Sequence, residues 1–146
     1  MSYEPSNSAY ETEVRSSFAK QTAMTSIGAQ LVRVGAGVVE IAIPYSSDLT
    51  QQNGFMHAGI ITTIADTACG YAAYTLMPVN SDVLSVEFKM NLLRPAKGST
   101  FVAAAEVIKP GRTLTVVRAD VFASSDGRNR QLIATMLATM ICLLRS

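Results

Sequence analysis

Residues 58–77, AGIITTIADTACGYAAYTLM, make a run so apolar that Asp66 is its only formal charge. Twenty such residues have two destinations, a bilayer or the middle of a core. Asp66, four threonines, two glycines and the lack of flanking Lys or Arg anchors argue against the bilayer. A helix that is hydrophobic around nearly its whole circumference then has to be wrapped on nearly every side by the rest of the chain. The same run poses a chemical question. A carboxylate buried without a partner costs several kcal/mol or takes up a proton, and Asp66 has no Lys or Arg within a helical turn on either side.

The remaining sequence supplies the wrapping. Residues 83–93, VLSVEFKMNLL, alternate with period two: Leu84, Val86, Phe88, Met90 and Leu92 on one face, Ser85, Glu87, Lys89 and Asn91 on the other. This predicts a half-buried strand. TFVAAAEVIK (100–109) and TLTVVRADVFAS (113–124) flank a PGR turn at 110–112, and SDGRNR (125–130) leads into QLIATMLATMICLLR (131–145). The C-terminal half is therefore predicted to be an antiparallel meander. AQLVRVGAGVVEIAIP (29–44) predicts earlier strand material with a turn or bulge at its glycines near 35–37, and residues 11–24 suit a short helix within an N-terminal extension, 1–28. The predicted order is α-β(-β)-α-β-β-β-β. It defines an α+β fold, with one long central helix against a curled antiparallel sheet of about five or six strands. The length, 146 residues, suits a single domain spanning 1–146, with room for one core but little for two.

Composition narrows the setting. An apolar fraction of 49% and a formal net charge of +1 give no sign of a nucleic-acid surface, so neither nucleic acid nor membrane is expected as a partner. Cys69 and Cys142 lie in apolar stretches without C-x-x-C spacing, as expected for reduced core residues in a cytoplasmic protein. The N-terminal MSYEPSNSAYETEVRSS shows no basic segment leading into an apolar one, so no secretory signal is expected.

The segment QQNGFMHAGIITTIADTACGYAAYTLMP (51–78) resembles the signature of the phenylacetate-pathway (PaaI-type) thioesterases of the hotdog fold. In that family a Gln or Asn precedes an H-G-G-like turn and an acid follows within the helix. LSVEFKMNLLRPAKG (84–98) is similar to the family's next strand, with a small polar residue near its start and an R-P-A/G exit. The resemblance runs from residue 29 to residue 144, and its specificity lies in the two motifs occurring together in this order. One departure is visible: Ala58 stands at the first glycine of H-G-G. Its backbone N–H survives, and its methyl narrows the space beside a thioester carbonyl.

Thioester hydrolysis needs a donor for the oxyanion that develops on the carbonyl and a group that orients or deprotonates water. The first N–H groups of a helix have no intrahelical partner and lie at the positive end of its dipole, so Ala58 and Gly59 are the expected oxyanion site. His57 sits at the same turn, where it caps the helix or, as the resemblance implies, donates to the departing thiolate. The resemblance further points to Gln51 as a contact to the thioester, while Asn53, beside Gly54, also reads as a turn residue. Asp66 is the candidate for activating water, as general base or as nucleophile through an anhydride; bonding to Thr62, Thr63 or a strand is the structural alternative. Ser85 is implied to help hold the water, or is an ordinary solvent-face residue.

Ala58 and Asp66 are eight residues apart, about 12 Å of helical rise, too far for one carboxylate to serve its own chain's oxyanion site. Two helices lying antiparallel across a two-fold axis would bring the N-terminus of one to the middle of the other. A homodimer or dimer of dimers is therefore expected, with Gln51, His57 and Ala58 of one subunit facing Asp66 and Ser85 of the next. The resemblance implies an acyl-CoA substrate, whose acyl group is aromatic, such as phenylacetyl, or a short to medium chain. Arg94 and Lys97, together with Arg112 and Arg128 in turns, are candidates for the CoA phosphates. No metal or other cofactor is expected. Two rival functions share these residues: a hotdog acyl-thioester dehydratase or hydratase with His57 as base, and a non-catalytic acyl-CoA-binding module, which the Ala58 departure leaves open. The spacing of Asp66 from His57 fits the thioesterase pattern better than the dehydratase one.

Overall fold

The computed structural model describes residues 2–146. The elements run α1 (Tyr10–Lys20), α2 (Thr22–Ser26), β1 (Gln30–Gly35), β2 (Val38–Pro44), α3 (Ala58–Tyr74), β3 (Ser81–Leu92), β4 (Thr100–Lys109), β5 (Leu114–Ser124) and β6 (Gln131–Leu144). All six strands form one antiparallel sheet in the order β1-β2-β4-β5-β6-β3. With α3 lying against it, this is the hotdog arrangement that the sequence predicts.

The grip on α3 comes from alternation in the strands. Val39, Ile41 and Ile43 of β2, Phe101 and Ala103 of β4, Val117, Ala119 and Val121 of β5 and Ala134, Met136, Ala138 and Met140 of β6 are buried at two-residue spacing. They meet Ile61, Ile64, Ala65, Ala68, Cys69 and Ala72 of α3, all 0–1% exposed. The many alanines let the sheet curl close to the helix. The wrapping is nevertheless incomplete. Thr63, Asp66, Thr67, Gly70 and Tyr74 remain half-buried along one side of α3, so the expected all-round cover gives way to one open flank.

One further expectation is revised, and two, the turn near 35–37 and the C-terminal meander, are met. The leading helix over 11–24 is two helices, broken at Gln21, whose extended backbone both ends α1 and begins α2. The 29–44 stretch is a β1–β2 hairpin, turned at Gly37 with φ +77, where an added Cβ would come within 2.8 Å of the Tyr3 ring. The expected meander runs from β4 through β5 to β6, while β3 skips its neighbour in sequence and pairs with β6, which leaves its other edge unpaired among the described residues.

That edge strand also departs from clean alternation. Its register slips between Ser85 and Glu87, so that Ser85 pairs with Met140, Glu87 with Thr139 and Phe88 with Ala138. Met140 and Ala138 are buried beneath α3, and residues paired across a ladder share a face. The bulge at Val86 therefore puts Ser85 on the same, helix-facing side as Phe88 and Met90, opposite to what strict alternation predicts. The apolar residues predicted to be buried here are mostly open: Leu84 is 57%, Val86 53% and Leu92 57% exposed.

Candidate active site

Two groups of candidate residues lie at different places along α3. The first is built on the bulge. Ser85 Oγ donates to Asp66 Oδ1 at 2.6 Å and lies 3.4 Å from Met140 Sδ. Without the extra residue at Val86, Ser85, Phe88 and Met90 could not all face the helix. Asp66 is half-buried, and its Oδ2 accepts no hydrogen bond among the described residues. The two threonines offered as its structural partners are engaged elsewhere: Thr62 Oγ1 donates to the Ala58 carbonyl and Thr63 Oγ1 to the Gly59 carbonyl, each at 2.8 Å. Asp66 and Ser85 open onto a cleft of about 280 Å³ along the uncovered flank of α3, which also takes in Tyr71, Tyr74 and residues of α1. Beneath it, burial and then the Asp66 charge push the Cys69 thiol far above its ordinary range. Cys69 is free, as is the half-buried Cys142, in keeping with the expected reduced cysteines.

The second group is the entry to α3. The segment before the helix is pinned from both sides, the Met56 N–H donating to the Ala96 carbonyl and the His57 N–H to the Leu49 carbonyl. His57 is the N-cap: its Nδ1 accepts from the Gly59 N–H at 2.8 Å. An accepting Nδ1 carries no proton, so the exposed Nε2 is the donor of a neutral ring. This corrects the expectation for Gly59, whose N–H is consumed by the cap. An added Cβ at Gly59 would sit 3.0 Å from His57 Nδ1. Ala58 keeps its N–H free among the described residues, at the positive end of the dipole.

Gln51 Oε1 accepts from the N–H groups of Asn53, at 2.6 Å, and Phe55, at 3.3 Å. This tightens the turn and leaves the Gln51 amide NH₂ uncommitted. The Asn53 backbone is thereby explained as part of that turn, and its side chain is exposed. Gln51 and Ala58 border a second, mainly apolar cleft of about 440 Å³, which Arg94 also lines. The Arg94 guanidinium donates to the Leu132 carbonyl at 2.8 Å, an anchor that accounts for part of its hydrogen-bonding capacity. Lys97, Arg112 and Arg128 are exposed and border neither cleft. Thus Asp66 with Ser85 and Gln51 with Ala58 occupy separate clefts of one chain. The signals missed in the sequence are Ser17, Gln21, Tyr71 and Tyr74. They carry no motif, and only the fold lays α1 across the flank of α3.

The model of the thioesterase superfamily matches residues 53–129, which span the cap, Asp66 and Ser85. The chain is 51% identical to a thioesterase family protein from Silicibacter pomeroyi whose crystal structure superposes with a TM-score of 0.91, over 93% of this chain and 99% of that one. It is 29% identical over 130 residues to a provisionally named esterase of Saccharolobus solfataricus, covering 89% of this chain and 83% of the relative. The E. coli PaaI protein from the phenylacetic acid degradation operon shares the fold, with a TM-score of 0.82 at 15% identity over 92% of this chain and 93% of that one. The chain belongs to the thioesterase superfamily, and it is an enzyme of the thioester hydrolase class.

Proposed function

We propose that this protein hydrolyses acyl-CoA thioesters to the free acid and CoA, in sites shared between two copies of the chain, and that residues 1–146 act as one cytoplasmic domain. The observation that carries this reading is the 2.6 Å Ser85–Asp66 hydrogen bond, set two turns along α3 from a free Ala58 N–H. With Oδ1 held by Ser85, Asp66 Oδ2 is turned to accept the proton of a water. The water oxygen bonds to the thioester carbonyl carbon, and the carbonyl oxygen takes up the negative charge, stabilised by the Ala58 N–H and the Gln51 amide. The C–S bond then breaks. His57 Nε2–H donates a hydrogen bond to the departing thiolate, and the proton held on Asp66 completes the thiol. Ser85 acts by fixing the carboxylate, which deepens the expected water-holding role into an orienting one.

The shared site follows from distance and from the edge of the sheet. About 12 Å of rise separates Ala58 from Asp66 on one helix, and each borders its own cleft. The open edge of β3 carries Leu84, Val86, Phe88 and Leu92, each 44–57% exposed, beside Ser85. An unpaired apolar edge of this kind is unstable to further pairing, and a second copy related by a two-fold axis covers it self-complementarily. That pairing brings each Ala58 towards the other chain's Asp66, as a homodimer or a dimer of dimers. Arg94, at the rim of the second cleft, is the basic residue best placed for a CoA phosphate.

A panel of CoA thioesters assayed by release of free thiol tests the reading. Thiol release with at least one acyl group supports it. Loss of enoyl absorbance, or its gain from a 3-hydroxyacyl thioester, without thiol release would make the protein a hydratase or dehydratase, and saturable binding without either would make it an acyl-CoA-binding module.

A further inference from the structure

From the Asp66 cleft we infer that Ser17 and Gln21, held by Tyr71, form a polar end wall for the acyl group and select short acyl chains that end in a hydroxyl. This rests on the acyl-CoA hydrolase reading and adds to it the class of acyl group. The wall is built by α1. Val14 is wholly buried in the core, and the Phe18 ring packs 6.1 Å from that of Tyr71. Ser17 lies on the side of α1 that meets α3, and Gln21, at the break just beyond α1, reaches the same Tyr71 hydroxyl. Tyr71 is 5% exposed. Its hydroxyl accepts from Gln21 Nε2 at 3.0 Å and lies 3.0 Å from Ser17 Oγ.

Donor counting shows what this cluster offers. The Gln21 amide occupies a lone pair of the phenol oxygen, so the single phenolic hydrogen is free to go to Ser17 Oγ, which releases the serine hydrogen. Gln21 Oε1 accepts nothing among the described residues. The end wall thus presents the serine hydrogen and the second Gln21 amide hydrogen as donors and Gln21 Oε1 as acceptor, which a hydroxyl engages on both sides and an alkyl end leaves desolvated. Tyr71 is five residues beyond Asp66, a rise of about 7.5 Å, which an extended acyl chain of six carbons spans from a thioester carbonyl held near Asp66. The carboxylates of Asp66 and Asp82 border the cleft, and Arg145 pairs with Asp82 at 3.4 Å, so the unpaired charge there is the Asp66 carboxylate. A chain ending in a carboxylate is therefore repelled.

The test compares hexanoyl-CoA, 6-hydroxyhexanoyl-CoA and adipoyl-CoA as substrates of the full chain. It is repeated with Ser17→Ala and Gln21→Leu, whose folding is verified by thermal melting. The expected kcat/KM is at least about tenfold higher for the hydroxylated chain than for hexanoyl and lowest for adipoyl, with the hydroxyl preference falling several-fold in either variant. Equal rates for hexanoyl and 6-hydroxyhexanoyl, or a preference that both variants retain, would overturn the end wall while leaving the hydrolase reading standing. Calorimetric binding of the non-hydrolysable thioether analogues of the same three compounds separates the two ideas. A Gln21-dependent preference for the hydroxylated analogue in a protein that releases no thiol would support the wall and sink the hydrolase. No preference in binding or turnover would sink the wall.

Discussion

The Ser85 hydroxyl donates to Asp66 Oδ1 across 2.6 Å, from a bulged edge strand to the middle of the helix that the sheet grips. One oxygen of the carboxylate is thereby fixed, and the other, which accepts no hydrogen bond among the described residues, is the proposed base. Asp66→Asn keeps the shape and an acceptor for Ser85 but removes the base. It is expected to lower thiol release on the order of 100-fold or more with the melting temperature and oligomer size retained. Activity within a few-fold of the parent would reassign Asp66 to structure.

Ser85→Ala removes the orienting hydrogen bond and leaves the substrate's binding surface in place. Turnover should fall while KM changes little, because a group that aims the base acts mainly in the transition state. A raised KM at constant kcat would instead put Ser85 in substrate binding.

His57 caps α3 and is the proposed donor to the thiolate, two roles that substitution separates. Asn is a good N-cap and lacks the Nε2–H, so His57→Asn should keep the fold's stability and lose turnover. His57→Ala loses the cap as well, roughly 1 kcal/mol, or about 2–4 °C in Tm for a chain of this size. Equal melting temperatures for the two variants would show that the Nδ1–Gly59 bond contributes nothing to stability.

The Cys69 thiol is raised first by burial and then by Asp66, whereas Cys142 is only half-buried. Alkylation of the native protein at pH 8 should modify Cys142 well before Cys69, since the thiolate is the reacting form. Asp66→Asn should not expose Cys69, because burial is the larger cause. Peptide mapping after a timed alkylation measures both rates.

Complementation addresses the shared site directly. His57→Ala and Asp66→Ala chains, each poorly active alone, are co-expressed with different tags and the mixed dimers purified. Each mixed dimer then holds one intact site and one carrying both lesions, so activity should recover toward half that of the parent. Sites built within single chains would give no recovery, and that result would remove Asp66 from the neighbour's thioester.

The sequence by itself determined that the apolar run 58–77 holds the central helix, since no other placement disposes of it; the structure ends that helix at Tyr74. The sequence also determined that the period-two strands wrap that helix, and that His57, Ala58 and Asp66 fall within one family signature. It did not show the side of β3 on which Ser85 lies, because alternation puts Ser85 opposite Phe88. Only a one-residue slip against β6 turns both toward the helix, and such a bulge is set by the partner strand's register. The fate of the Gly59 N–H likewise depended on the rotamer of His57, which composition does not encode. The long-range contacts were the least legible part. Ser17 and Gln21 lie some fifty residues from Tyr71 in the chain and carry no motif. Only the burial of Val14 and Phe18 against the core, a property of the folded whole, brings their side chains to the flank of α3 where Asp66 opens.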